Sequence, residues 1–133
     1  MKLSDAMREG AKSGPQLFGY LGDGGGGSCA MGSVAIAMGV PDVSAYRFYR
    51  ELQKGYPFLK TETECPACGD VVEHAIDGVG DGIAVIVHLN NHHRWSREAI
   101  AEWIDATFER GVPMEEIRQI VGLQGPRVPV MLP

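Results

Sequence analysis

Cys65-Pro-Ala-Cys68-Gly69 is the stretch of this sequence best suited to chemistry. Two cysteines two residues apart, followed by glycine, form a tight turn whose backbone amides point at both sulfurs. Such a turn stabilises thiolates and presents them to one tetrahedral ion. Nineteen residues separate Cys68 from His88, and His92 and His93 follow, giving His-x3-His or His-x4-His. Histidine intervals of three to five residues are those of zinc-finger sites. Cys65, Cys68, His88 and one of His92 and His93 therefore form a predicted Cys2His2 ligand set. Zn2+ is the expected ion, because paired sulfur and imidazole donors suit it best. With all four positions filled by protein, no place is left for a reactive water, so the predicted zinc is structural. The spacer exceeds the ~12 residues of the DNA-reading ββα finger. A thioredoxin-type redox pair shares the Cys-x2-Cys spacing but needs a helix N-terminus in a βαβ unit, and no such unit is legible here.

The third cysteine stands apart. Cys29 follows a glycine-rich run, Gly22 to Gly27, at the predicted start of a helix. Those are conditions that lower a thiol pKa, and they make Cys29 the candidate for a cysteine-dependent enzyme. His74, or whichever of His92 and His93 is not a ligand, would be its base. The favoured reading is a small buried residue in an Ala/Gly/Met helix, the usual fate of a free cysteine; Cys29 as a fourth zinc ligand is a third option. The glycine run lacks the Lys-Ser/Thr of a phosphate-binding loop, and Asp77 and Asp81 lack the ligand pattern of a calcium loop. Arg47, Arg50 and Lys54 line one side of a predicted helix and are the candidate nucleic-acid contact. Between Thr61 and Gly82, however, six carboxylates (Glu62, Glu64, Asp70, Glu73, Asp77, Asp81) occur with no lysine or arginine. That sign opposes a phosphate backbone and fits solvent, a basic protein surface or a partner subunit.

The elements that must position these groups read as mostly helical. Ser4 is the predicted cap of a first helix to Lys12, with Leu3, Met7 and Ala11 inward. Ser28 is the predicted cap of a second, Cys29 to Met38. Asp42 or Ser44 opens a third, to Lys54, with Val43, Tyr46, Tyr49 and Leu52 as its buried stripe. Residues 58–64 suit a short strand before the cysteine pair. Ile83 to Asn91 is strand or buried helix; helix is favoured for its second half, since it sets His88 and His92 on one face. His93 then requires a slightly unwound last turn, with Asn90-Asn91 as the expected point. Ser96 caps a helix from Arg97 to Arg110 with Ile100, Trp103, Ile104 and Phe108 on one side, packing behind the metal. Trp95 and Ile100 are the expected staple across its start. A short helix from Pro113 and an extended tail over 124–133 complete the chain.

The segment from His88 to Trp103, His-Leu-Asn-Asn-His-His-Arg-Trp-Ser-Arg-Glu-Ala-Ile-Ala-Glu-Trp, together with Cys-Pro-Ala-Cys, resembles a group of small uncharacterised proteins of bacteriophages and prophages. The likeness covers Cys65 to Trp103, with a weaker echo in Gly27-Ser-Cys-Ala-Met-Gly32. It implies that His88 and His93 are the paired positions and His92 the variable one. Asn91 stands where the group leads one to expect Asp. It also implies a phage accessory protein working in the bacterial host cytoplasm.

Composition bounds the rest. The 133 residues carry 12 basic and 17 acidic side chains, a formal charge of −5, which disfavours general phosphate-backbone binding. Hydrophobic residues at 44% place the chain among globular proteins rather than disordered ones. Three cysteines do not make a disulfide framework. No apolar run is longer than that from Ile83 to Val87, far below the ~20 residues of a membrane span, and no secretory leader is legible. The expectation is one small mostly α (α+β) domain over 1–133. It comprises a glycine-rich loop at 22–27, a zinc module with a short hairpin at about 58–93, and a helical part at 96–122. It would act without catalysis, by binding a protein such as a host enzyme or defence complex, and self-association is possible on this reading.

Overall fold

The computed structural model describes residues 1–19, 21–40, 45–72, 78–113, 115–117 and 119. Among these the chain is mostly helical: α1 (Leu3–Ala11), α2 (Ala30–Ala37), α3 (Ala45–Gly55), a 3-10 turn (Pro57–Lys60), α4 (Asp81–Asn91) and α5 (Arg97–Ile104), which continues as a π-helical turn (Asp105–Glu109). None of these helices is long and apolar enough to cross a membrane. The tail over 124–133, residues 41–44 with Asp42, Val43 and Ser44, and His74 lie outside the described residues.

Helix α2 is apolar or small on every side, and a helix of that kind belongs in the interior. Ala30, Met31, Gly32, Ser33 and Val34 are all buried. Around it pack α1, through Leu3, Ala6, Met7 and Gly10, and α4, through Ile83, Ile86 and Leu89; α5 in turn lies mainly against α1. These side chains share one core with Ile100, Trp103 and Ile104 of α5. Trp95 and Ile100, the expected staple pair, are both buried in it. Phe108 stacks on Phe58 at 4.7 Å and meets Trp103 edge-on at 5.5 Å. The end of α5 is thereby joined to the 3-10 turn that leads towards the cysteine pair.

Several local expectations change. Ser4 is not a cap: it is buried inside α1, and its hydroxyl donates to the Glu109 carboxylate across the molecule. The cap of α2 is Cys29 rather than Ser28, with the thiol accepting from Gly32 N at 3.3 Å. Ser28 is used otherwise, its carbonyl accepting from Leu17 N at 2.9 Å and its side chain fully buried. In α3 the buried residues are Phe48, Tyr49, Leu52 and Gln53, and Tyr46 is exposed. A strict three-residue spacing drifts around a 3.6-residue helix, so Tyr46 leaves the face that Tyr49 and Leu52 share. The strand expected over 58–64, and with it the hairpin, reduces to a single antiparallel bridge between Glu64 and Val71 after a 3-10 turn. Pro57 fixes its own φ and lacks an N–H, which favours the first turn of such a helix over a ladder. The whole of 83–91 is helical, its first half included.

Candidate metal centre

The knuckle is built by its own backbone. Cys65 N donates to Asp70 O and Gly69 N to Cys65 O, both at 2.8 Å, closing a loop over the two cysteines. Gly69 has φ +77°, a left-handed conformation that glycine adopts without steric cost and that turns the chain back after Cys68. Cys65 is 1% exposed and Cys68 lies at the surface.

The facing side comes from the end of α4. His92 N and His93 N both donate to His88 O, at 2.9 and 3.2 Å. The second is an i→i+5 bond, which widens the last turn. In a regular α-helix residue i+5 is rotated ~140° from residue i, whereas a widened turn brings it back towards the same side. That places His93 Nε2 3.0 Å from His88 Nε2. Unwinding therefore falls at His92 to Arg94, where Arg94 has φ 54°, and not at Asn90-Asn91. His92 is exposed and stacks on the His88 ring at 4.8 Å, outside the cluster.

One ligand atom from each of Cys65, Cys68, His88 and His93 lies within 4.8 Å of the others. Two of the six separations lie close to the edges of a tetrahedron around one ion. With Zn–N of about 2.0 Å and Zn–S of about 2.3 Å, the edges of a tetrahedron are roughly 3.3 Å for N···N and roughly 3.5 Å for S···N. The observed values are 3.0 Å for His93 Nε2 to His88 Nε2 and 3.6 Å for Cys68 Sγ to His88 Nε2. This Cys2His2 cluster could hold one metal ion. Burial pushes the Cys65 thiol up to about 11, Cys68 beside it adds to this, and the amides of Cys68 and Ala67 pull the other way. A cation is what turns such a buried thiol into a thiolate. Burial, then the neighbouring His92, lower the His88 pKa, which keeps the imidazole in its neutral, metal-binding form.

Three further residues, not foreseen, brace this helix end. Asn90 is 1% exposed and fully bonded. Its Oδ1 accepts from Gln16 Nε2 at 2.8 Å and Ala30 N at 3.0 Å, and its Nδ2 donates to Leu17 O at 2.9 Å. Gln16 also donates to Trp95 O at 2.7 Å and accepts from Arg97 N at 3.2 Å. Arg97 donates to Gly14 O at 2.7 Å and to Ser28 Oγ and O at 3.1 and 3.2 Å. Asn91 accepts from Gly19 N at 2.9 Å, a role any side-chain oxygen at this position can fill. One signal was available: Asn90 falls seven residues after Ile83, on the buried face of an apolar helix.

Cys29 lies outside the cluster of Cys65, Cys68, His88 and His93. It is buried, and burial raises its pKa against the opposing pull of the Gly32 and Met31 amides and the Arg97 charge. Iodoacetamide should therefore modify Cys29 more slowly at pH 7 than a free thiol, as peptide mass spectrometry of the folded protein can read. Fast modification would mark an activated nucleophile. Of the helix α3 cations, Lys54 pairs with Glu51 at 2.9 Å and Arg50 lies 5.6 Å over the Tyr46 ring. Arg47 is exposed on the same helix. No family model matches the chain, and neither the curated proteins nor the solved structures contain a match to it.

Proposed function

We propose that this chain is a small non-enzymatic accessory protein of phage type, stabilised by one structural Zn2+ on Cys65, Cys68, His88 and His93, that acts in the host cytoplasm by binding another protein. The observation that carries the metal reading is the pair of edge lengths, 3.0 Å for N···N and 3.6 Å for S···N, in a cluster whose four donors all come from the protein. Two thiolates and two imidazoles in tetrahedral array select zinc over harder ions. Zinc bound there supplies a cross-link and fixed charge neutralisation rather than a reactive water. A protein partner is favoured over nucleic acid by the six carboxylates, with no lysine or arginine, between Thr61 and Gly82.

X-ray absorption on the purified protein tests the metal reading. The expected spectrum has a zinc edge and a first shell of two sulfurs at about 2.3 Å and two nitrogens at about 2.0 Å, with no water oxygen. An iron edge, or a shell containing oxygen, would contradict a closed zinc site.

A further inference from the structure

We infer that the end of α2 and the outer side of α3 form a docking groove for an acidic peptide segment of another protein, with an apolar anchor side chain seated beside Met38. This inference rests on the protein-binding reading and gives the partner its chemistry. Of the large hydrophobic residues exposed among the described residues, Met38 borders this groove and Tyr46 lines the hollow beside it, each at 38% exposure. Apolar groups left at the surface in a cluster mark an interaction site, whereas scattered ones do not. Between the two helices runs an open groove of about 360 Å3, lined by Met38, Val40, Phe48, Leu52 and Tyr56. That volume is at the small end of binding pockets and suits one or two anchoring side chains.

The charge of the rim selects the partner. Arg47 and Glu51 border this groove and also a second hollow, shared with Tyr46 and Arg50. An anchor in the first hollow thus has its flanking residues over the second, beside the Arg50 guanidinium that lies on Tyr46. Helix α3 carries Arg47, Arg50 and Lys54 against the single carboxylate of Glu51, in a chain that is acidic as a whole. Apolar side chains followed by carboxylates complement that order. A second copy of this chain fits poorly, since a two-fold contact would set the α3 cations of both copies against one another. A phosphate backbone would leave the apolar groove unfilled.

A random peptide library displayed on yeast and selected against the full-length zinc-loaded protein tests the inference. Selected peptides should combine a Leu, Ile, Met, Phe or Trp with neighbouring Asp or Glu. Measured by fluorescence anisotropy, their binding should weaken at least about tenfold with Met38→Glu, and again with Arg47→Glu plus Arg50→Glu, and should fall as salt rises. Exchanging the peptide's carboxylates for lysine should restore binding to the charge-reversed protein. These positions are exposed, so circular dichroism should be unchanged. Selection of basic or uncharged peptides, or wild-type affinity in both variants, would overturn the inference. So would duplex DNA binding lost with the two arginines, or self-association lost with Met38→Glu. Zinc content of the same preparations reports separately on the metal reading, which can fail while peptide binding stands.

Discussion

Chelation of the metal, or Cys65→Ser combined with Cys68→Ser, lowers the melting temperature by roughly 10 °C and frees the amides of residues 61–72 and the last turn of α4 for hydrogen exchange. The magnitude follows from topology. An ion held by the cluster would tie Cys68 to His88 across 19 intervening residues, and cross-linking a loop of that size is worth about 3 kcal/mol. At this chain length 1 kcal/mol moves the melting temperature by about 3–4 °C. Without the ion the knuckle keeps two backbone hydrogen bonds, Cys65 N to Asp70 O and Gly69 N to Cys65 O, and little else that is local. The core of α1, α2 and α5 does not depend on it: Leu3, Met7, Met31, Val34, Ile100 and Ile104 are buried among one another. Their amides should stay protected, which separates this case from a zinc finger that unfolds entirely without metal. Acid should act in the same direction. The folded-state pKa of His88 is lowered by burial and by His92, so the unfolded chain takes up the proton more readily. Its contribution is present above the ordinary histidine pKa and is lost as pH falls below it. A melting temperature unmoved by chelation would contradict the cross-link.

Gly10→Ala costs about 3 kcal/mol or more, although alanine is the better helix former by ~1 kcal/mol. A Cβ built on Gly10 of α1 would stand 1.7 Å from the Ser33 carbonyl oxygen of α2. Gly32 is hemmed in as well, by Leu21 O of the preceding loop at 1.8 Å. Both obstacles are backbone atoms, so neither can swing aside as a flexible side chain would, and at Gly10 the two helices must separate. Gly55 is the control. It ends α3, nothing lies within 4 Å of its added Cβ, and Gly55→Ala should leave stability unchanged or raise it slightly. Thermal denaturation followed by circular dichroism distinguishes the cases; equal effects at Gly10 and Gly55 would contradict the described α1–α2 contact.

What could be read in the sequence was local. Ser96 accepts from Ala99 N at 3.1 Å and opens α5 as its position before an amphipathic run requires. The mostly helical class, the cysteine turn and the need for a loosened turn before His93 also follow from short-range spacing. Misreadings occurred where distant residues decide. Ser4 has a good cap's side chain, but Glu109 lies across the molecule to receive it, and the helix starts earlier. Asn90 reads as a breaker beside Asn91, whereas Gln16, Leu17, Ala30 and Asn91 together supply every bond its amide needs. With those partners a buried asparagine holds the helix intact up to His92, and the strain moves on to Arg94. The glycine run between 22 and 27 is likewise organised by one side chain, the Asp23 carboxylate, which accepts from Gly25 N at 2.8 Å and Gly27 N at 3.0 Å.

Metal content per chain in a small set of variants tests the central claim most directly. Elemental analysis of purified protein should give one zinc per chain in the wild type and in His92→Ala, whose ring stacks on His88 outside the cluster. It should give none in Cys65→Ser with Cys68→Ser, and a weakly held, easily dialysed ion in His93→Ala. A wild type free of metal, or zinc retained by His93→Ala and lost by His92→Ala, would contradict the assignment of Cys65, Cys68, His88 and His93 as the ligands.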